Sequence, residues 1–447
     1  MKLWQKENTD VSPQLIEEFT VGRDKDFDLE LAPWDVIGSL AHIQMLNSIK
    51  LLSDEEYALA KTELQKILKE IQEGKFCMHA NMEDIHSQVE WMLTQSIGDT
   101  GKKIHSGRSR NDQVLVDIKL YLRDQTKEIV DLSEQLFNTL IHLSEKHRED
   151  LLPGYTHFQL AMPSSFGLWF GAYAESLCDD MESLLAAYKI MNKNPLGSGA
   201  GYGSSFPLNR NLTTELLGFE SMNYNVVYAQ MTRGKAEKNT AMALSNFAAT
   251  LAKLSMDVCL YMNQNFNFIS FPSHLCTGSS IMPHKKNPDV FELIRGKCNR
   301  LQSLPNEFAL LYTNLPSGYH RESQLTKEIL FPGIKELKNC LSICNYMLQH
   351  IEVKKNILAD DQYNNLFTVE AVNELVLKGV PFREAYKQIG MEVETGIFEA
   401  GQTLNHTHEG SIGNLCNEQI SNQFNTLKKN FEFEKATEKI KKLSGQQ

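Results

Sequence analysis

Apolar positions recur every seven residues along a stretch that begins after Asn111. Leu115, Leu122, Ile129, Leu136 and Leu143 mark one line; Ile118, Gln125, Leu132 and Thr139 follow three places behind the first four. No glycine or proline interrupts the run from Asn111 to Asp150. A seam of that length predicts a long helix with one apolar face and a bundle partner. The same period predicts a second helix over about 164–192, with Phe170, Leu177, Leu184 and Met191 on one stripe. A third is predicted over about 234–263, from Leu244, Leu251 and Val258 with Phe247, Leu254 and Tyr261. A fourth is expected from Pro288 to about 312 and a fifth from about 324 to 350. Such helices run about 40–60 Å at 1.5 Å per residue. One chain has difficulty covering seams so long, so helices of other subunits are expected to complete the bundle. An ordinary bundle within one chain fits the seams as well.

The rest of the chain is read around that frame. Pro33 closes a leading polar segment, and the next proline is Pro153; helix follows helix between them. The helix expected over 54–73 opens on Asp54, Glu55 and Glu56, which suits a helix N-terminus. Gly98 to Lys103 has the wrong glycine spacing for a phosphate loop and is read as a turn. The glycine-rich segment 194–205 follows a long helix rather than a strand, which excludes a dinucleotide fingerprint. Residues 353–447 form a smaller helical tail. The expectation is an all-α protein of three domains: 1–108, 109–352 and 353–447.

Of 447 residues, 42% are apolar and 23% charged, ordinary for a globular protein. A net charge of −11, with no long basic run, argues against nucleic acid. The first residues lack a signal-peptide core, and no apolar stretch reaches membrane-spanning length. The eight cysteines lack zinc-like spacing, so free thiols in the cytoplasm are expected. Cys340 and Cys344 read as a buried apolar pair, and His406-Thr407-His408 as a polar loop.

The densest chemistry lies in Thr277–Asp289. It holds Gly278, Ser279, Ser280, Lys285, Lys286 and Asn287 between two prolines, Pro283 and Pro288. Gly278 is expected to give a backbone bend, and the prolines to keep helix out of the loop. So many donors suit an anion, above all one that gains charge during a reaction. The composition alone also fits a polar surface loop. This segment and two others, 105–113 and 153–159, sit at the ends of long helices, and a fourth, Tyr319–Glu328, joins them. Arg110 and Asn111 at a helix start can hold a carboxylate, and equally can belong to a solvated capping segment.

Gly278-Ser279-Ser280-x-Met282-Pro283-x-Lys285-x-Asn287 resembles the signature of the fumarase/aspartase superfamily, whose members release fumarate from substituted succinates. Ser109-Arg110-Asn111-Asp112-Gln113 resembles the diagnostic segment of the argininosuccinate lyase family, and the resemblance covers most of the chain. It implies a homotetramer with a central helix bundle and active sites shared between subunits. It implies conversion of argininosuccinate to arginine and fumarate in arginine biosynthesis, with no metal and no organic cofactor. By the same resemblance Ser279 is the base. Lys285, Asn287 and loop N–H groups stabilise the alkoxide and the doubly charged intermediate. His157, with Thr156 in Tyr155-Thr156-His157-x-Gln159, pairs with Glu292 and is the first candidate for the acid side. Arg110, Asn111, Thr156, Ser280, Asp84, His86, Tyr319, Gln324 and Lys327 match substrate-binding positions.

Each has a plainer reading. A lone histidine is more often structural. Glu292 can pair with Arg295 in its own helix, and Asp84 can be a helix cap.

The chain also departs from the family pattern. Gln5-Lys6-Glu7-Asn8 stands where Gly-Gly-Arg-Phe is usual. His284 replaces a glutamine, as in adenylosuccinate lyases. Leu160 and Met162 replace arginine and glutamine, and Thr232-Arg233-Gly234 stands near the usual Ser-Asp-Arg. An adenylosuccinate lyase is therefore one alternative, and an inactive structural relative is another.

Overall fold

The computed structural model describes residues 14–79, 82–399, 401 and 404–445; the departure at Gln5–Asn8 lies outside them. Five helices come first: α1 (Gln14–Val21), α2 (Asp24–Ser48), α3 (Asp54–Gln72), α4 (Ile85–Ile97) and α5 (Asp99–Lys103). Then come α6 (Arg110–Lys146), α7 (Phe166–Met191), two short helices α8 (Arg210–Leu216) and α9 (Val226–Met231), and α10 (Lys235–Tyr261). The bundle continues through α11 (Asp289–Leu301), α12 (Leu304–Leu311) and α13 (Thr326–Leu348). The chain closes with α14 (Thr368–Leu377), α15 (Phe382–Glu394), α16 (Asn417–Lys429) and α17 (Phe433–Ser444).

The predicted seam is real. Leu115, Leu122, Ile129, Leu136 and Leu143 are all buried, each such side chain contributing about 1.5–3 kcal/mol. Its two polar members meet α13: Lys338 donates to Gln125 Oε1 at 2.5 Å, and Thr139 donates to Asn345 Oδ1 at 2.7 Å. One apolar cluster joins α6, α7, α10, α11 and α13 and takes in Phe424 of α16 and Phe433 of α17. A second joins α2, α3 and α4 to Val116 and Leu120 near the start of α6. A third, small cluster holds Val372, Ala385 and Ile389 of α14 and α15.

Strands are few and short among the described residues. β1 (Leu151–Thr156) and β2 (Gln159–Ser165) form an antiparallel hairpin where the sequence suggested a loop. β3 (Lys193–Asn194) lies parallel to β4 (Ser221–Met222). β5 (Ile269–Ser270) joins β8 (Glu352–Val353), and β6 (Thr277–Gly278) joins β7 (Lys286–Asn287).

Several expectations need correction. Pro33 does not end a segment; it lies inside α2, where burial of Leu31, Ala32, Val36 and Leu40 offsets the lost hydrogen bond. Gly98 does turn, at φ +58°, but residues 99–103 then form a short helix. The fourth predicted helix is broken into α11 and α12. Pro305 has no N–H to offer the carbonyl of Leu301, so the first helix cannot run on. Gly278 is extended, paired with Lys286, and an added Cβ would meet only the Lys285 carbonyl oxygen at 4.0 Å. That loop therefore does not depend on glycine's conformational freedom at this position.

Candidate active site

Residues 108–113 alternate between anchoring and presenting. Arg108 donates to Ser39 Oγ at 2.9 Å. Ser109 caps α6: its Oγ accepts the Asn111 N–H at 3.2 Å, and Asp112 Oδ1 accepts the Ser109 N–H at 2.8 Å. Gln113 donates to the buried Asp35 Oδ1 at 2.6 Å. Arg110 and Asn111 are left to face a cleft of about 340 Å³. Seven of the fourteen predicted site residues line it: Asp84, His86, Arg110, Asn111, Tyr319, Gln324 and Lys327. Three elements converge there, from residues distant in sequence: the start of α4, the start of α6 and the segment leading into α13.

The cleft is rich in both charges. Asp84 is the N-cap of α4, accepting the Ser87 N–H at 2.8 Å and the Ser87 hydroxyl at 2.6 Å. Its other oxygen lies 2.9 Å from Arg110 Nη1, so it is both a cap and a member of the cleft. Burial alone would raise the Asp84 carboxyl, but His86 and Arg110 outweigh it and hold it below the usual range. Arg110 also reaches Glu83 Oε2 at 3.4 Å and donates to Ser87 Oγ at 2.7 Å.

His86 Nδ1 lies 2.8 Å from Asp35 Oδ1 and 3.6 Å from Asp117 Oδ2. Burial opposes its charge, yet Asp35, Asp84 and Asp117 push its pKa up to about 9. It is an imidazolium at neutral pH. Burial and Asp35 in turn hold the Asp117 carboxyl well above the usual range. Asp35, His86 and Asp117 bring ligand-type atoms within 4.8 Å of one another, the one such group among the described residues. With His86 charged, its Nδ1–H donates to Asp35 and the group is an ion-pair cluster.

The opposite wall holds Lys327, buried against Asp24 at 2.7 Å and against Asp28. Burial pushes the Asp24 carboxyl up to about 6 despite that lysine. Gln324 donates to the carbonyls of Thr20 and Val21, both at 3.1 Å. Arg233 is buried, paired with Glu237 at 3.0 Å and donating to the Ser323 carbonyl at 2.8 Å. Sequence reasoning missed Asp24, Asp28, Glu83 and Arg321 as cleft residues. The i, i+4 spacing of Asp24 and Asp28 on a helix was the one available signal for that pair.

The other seven predicted residues lie elsewhere. Thr156 and His157 are at the tip of the β1–β2 hairpin, where Thr156 pairs with Gln159. His157 and Phe158 occupy the turn at φ +53° and +58°. Two-residue turns of this hand favour Asn-Gly, so a His-Phe pair there is strained. Both side chains are exposed. Ser279 and Ser280 lie in the loop between β6 and β7, with Lys285 just before β7 and Asn287 within it. Ser279 Oγ accepts the N–H groups of Met282 at 3.1 Å and Ile281 at 3.4 Å. Asn287 donates to Thr277 Oγ1 at 3.4 Å. Glu292 is exposed on α11, and Arg295 turns to Met256 Sδ at 3.1 Å. Among the described residues no ion pair links Glu292 to His157 or to Arg295 within one chain.

The two groups sit at opposite ends of the bundle. The 37 residues of α6 span about 55 Å. Residues 147–150 form a turn, Asp150 donating to the His147 carbonyl at 3.2 Å, and the seven steps from Asp150 to His157 reach back no more than about 24 Å. Arg110 and His157 of one chain are therefore at least about 25 Å apart. The Ser279 loop shares the hairpin's end: Tyr155 packs on Phe266, at 5.4 Å between rings, in the segment that leads to it.

Solved structures share this architecture. A variant of EDDS lyase with bound fumarate superposes with TM-score 0.77 over 98% of this chain and 95% of that one, at 20% identity. A class II fumarase from Schistosoma mansoni gives 0.68, covering 90% of this chain and 91% of its own, at 15% identity. Residues 6–303 match the family described as Lyase. By this family match the protein is a lyase of the fumarase/aspartase class. An argininosuccinate lyase of Bacteroides fragilis is 56% identical over 99% of both chains. One of Aquifex aeolicus is 41% identical over 89% of this chain and 86% of its own length. The chain belongs to the argininosuccinate lyase family.

Proposed function

We propose that the protein cleaves argininosuccinate to arginine and fumarate, in arginine biosynthesis, as a cytoplasmic homotetramer whose sites are shared between subunits. The observation that carries this is the cleft itself. Within a chain of this family, seven residues matched to substrate positions meet in one mixed-charge pocket. A zwitterionic amino acid with carboxylates and a guanidinium needs both signs of charge. Among the described residues no helix is long and apolar enough to cross a membrane, which agrees with a cytoplasmic place.

In this reading Ser279 removes the proton beside the succinyl carboxylate. The two N–H groups already aimed at its oxygen favour the alkoxide. Lys285, Asn287 and Ser280 meet the negative charge that grows on the carboxylate. The electron pair then collapses to the fumarate double bond, and the C–N bond breaks. The leaving guanidino nitrogen takes a proton from His157, or from a water it orients, with Glu292 behind it. Arg110, Asn111 and Thr156 hold carboxylates. Asp84, His86, Tyr319, Gln324 and Lys327 hold the remainder of the substrate.

The separation of Arg110 from His157 supports shared sites, because no substrate of this size spans that gap. Large apolar side chains left exposed on the bundle support further subunits: Met242 and Met256 on α10, Leu293 on α11, Ile343 and Tyr346 on α13. We also infer the domain division 1–108, 109–352 and 353–447. The test is fumarate release, followed by ultraviolet absorbance, from argininosuccinate and from adenylosuccinate in parallel. Turnover of the purine substrate alone would reject the assignment, and His284 is the residue that favours that outcome. Release from neither would indicate an inactive structural relative.

A further inference from the structure

The glycine-rich segment between α7 and α8 has no part in the chemistry just proposed, yet its backbone is shaped to hold an anion. Gly197 and Gly199 stand at φ +86° and +61°. Their N–H groups converge on one oxygen, Asp112 Oδ2, each at 2.9 Å. The other oxygen takes the Ser109 N–H at 2.8 Å. Asp112 is fully buried. Arg108 and Arg210, the charged groups that face it, act on it only at range.

The cradle is braced from behind. Gln230 donates to Ser198 Oγ at 3.0 Å and to the Gly199 carbonyl at 3.1 Å, and Arg210 Nε donates to the Leu196 carbonyl at 3.0 Å. A Cβ at Gly197 would come within 2.8 Å of Arg210 Cγ. Convergent backbone N–H groups of this kind form an anion nest. Here the occupant is the chain's own carboxylate.

We propose that this loop is an internal carboxylate receptor and that Asp112 is a positioning residue: docked in the nest, it fixes the first turn of α6 and with it Arg110 and Asn111 in the cleft. Asp112 immediately follows those two residues and also closes the capping box on Ser109. Releasing it frees three N–H groups and frays the turn that carries both cleft side chains. Burial pushes its carboxyl up to about 6, so the docked site takes up a proton more readily than a released, solvated Asp112, and the docked state gains ground in mild acid.

The kinetic arm of the test rests on the proposed lyase reaction. Asp112→Asn keeps the shape but turns an NH₂ toward N–H groups. In the assembled full-length protein KM for argininosuccinate should rise about tenfold or more, with kcat changed less than about threefold. Hydrogen exchange at residues 196–203 and 108–113 should quicken, and the gain in protection of Gly197 and Gly199 in mild acid should disappear. Unchanged KM with unchanged exchange overturns the proposal, as does a lower yield of protein whose KM is that of the wild type. Should the variant fail to assemble, exchange in the wild type decides. Intrinsic-rate-corrected protection at Gly197 and Gly199 should rise as pH drops through about 6, because the docked carboxyl takes up a proton before a released, solvated one does; constant or falling protection overturns the proposal. If the wild type releases no fumarate from argininosuccinate, the reaction assigned above fails, while the exchange arm still decides the clamp.

Discussion

Arg110→Ala and His157→Ala proteins should each be nearly inactive, and mixing them should restore activity by a calculable amount. The cleft holding Arg110 and the hairpin bearing His157 lie at least about 25 Å apart in one chain, across most of the length of α6. On the proposed reaction, a complete site draws the two residues from different chains. Dissociated and reassembled at equal ratio, the two variants place an intact Arg110 beside an intact His157 in about one site in four, by chance pairing of subunits. Recovered kcat should be about a quarter of wild type, with KM unchanged, because the functional sites are wild type in every contact. The assay is fumarate release after removal of the dissociating agent, with mixed composition confirmed by differently tagged chains. Zero recovery in tetramers of confirmed mixed composition would refute the reasoning, since sites within one chain always carry one of the two lesions.

Three other outcomes follow from individual groups. Ser279→Ala should lower kcat by about 10²–10⁴ while leaving substrate affinity near wild type, by single-turnover kinetics and calorimetry; lost binding with an intact rate would contradict its role as base. Lys327→Met leaves Asp24 and Asp28 without their shared cation inside the protein and should cost about 3–5 kcal/mol in denaturant unfolding; an unchanged midpoint would show that the pair is solvated. His86 carries a pKa raised to about 9, so its stabilising contribution is complete below about 6.5 and is lost as pH climbs through 9. His86→Gln should therefore flatten the alkaline decline in stability, and equal slopes for the two proteins would remove the imidazolium from the account.

Periodicity disclosed the bundle because a single physical rule, burial every seven residues, governs Leu115 to Leu143 and Leu244 to Val258 alike. Short-range backbone chemistry was less legible. Pro33 sits mid-helix because the packing of α2 outweighs a local preference, and no reading of local sequence contains that packing. Pro305 carried the signal for the break after α11, and the apolar period concealed it. At the site, the motif residues around Arg110, Asp84 and Lys327 do meet in one cleft. Asp24, Asp28 and Arg321 escaped notice because a charged residue on a helix face looks solvated until another element covers it. The occupant of the glycine loop, Asp112, lies 85 residues away from Gly197, beyond the reach of any local pattern.

The pairing of Arg110 with Asp84 and Glu83 has a consequence for how ligands enter. The guanidinium is already satisfied at 2.9 and 3.4 Å by carboxylates of its own chain. An incoming carboxylate must trade places with a resident one, so the gain is a difference between two ion pairs rather than the full attraction of one. Stray phosphate or chloride, with poorer fit, wins little from such an exchange. Selectivity then resides in shape, and affinity for the true ligand should fall only gently as salt is added.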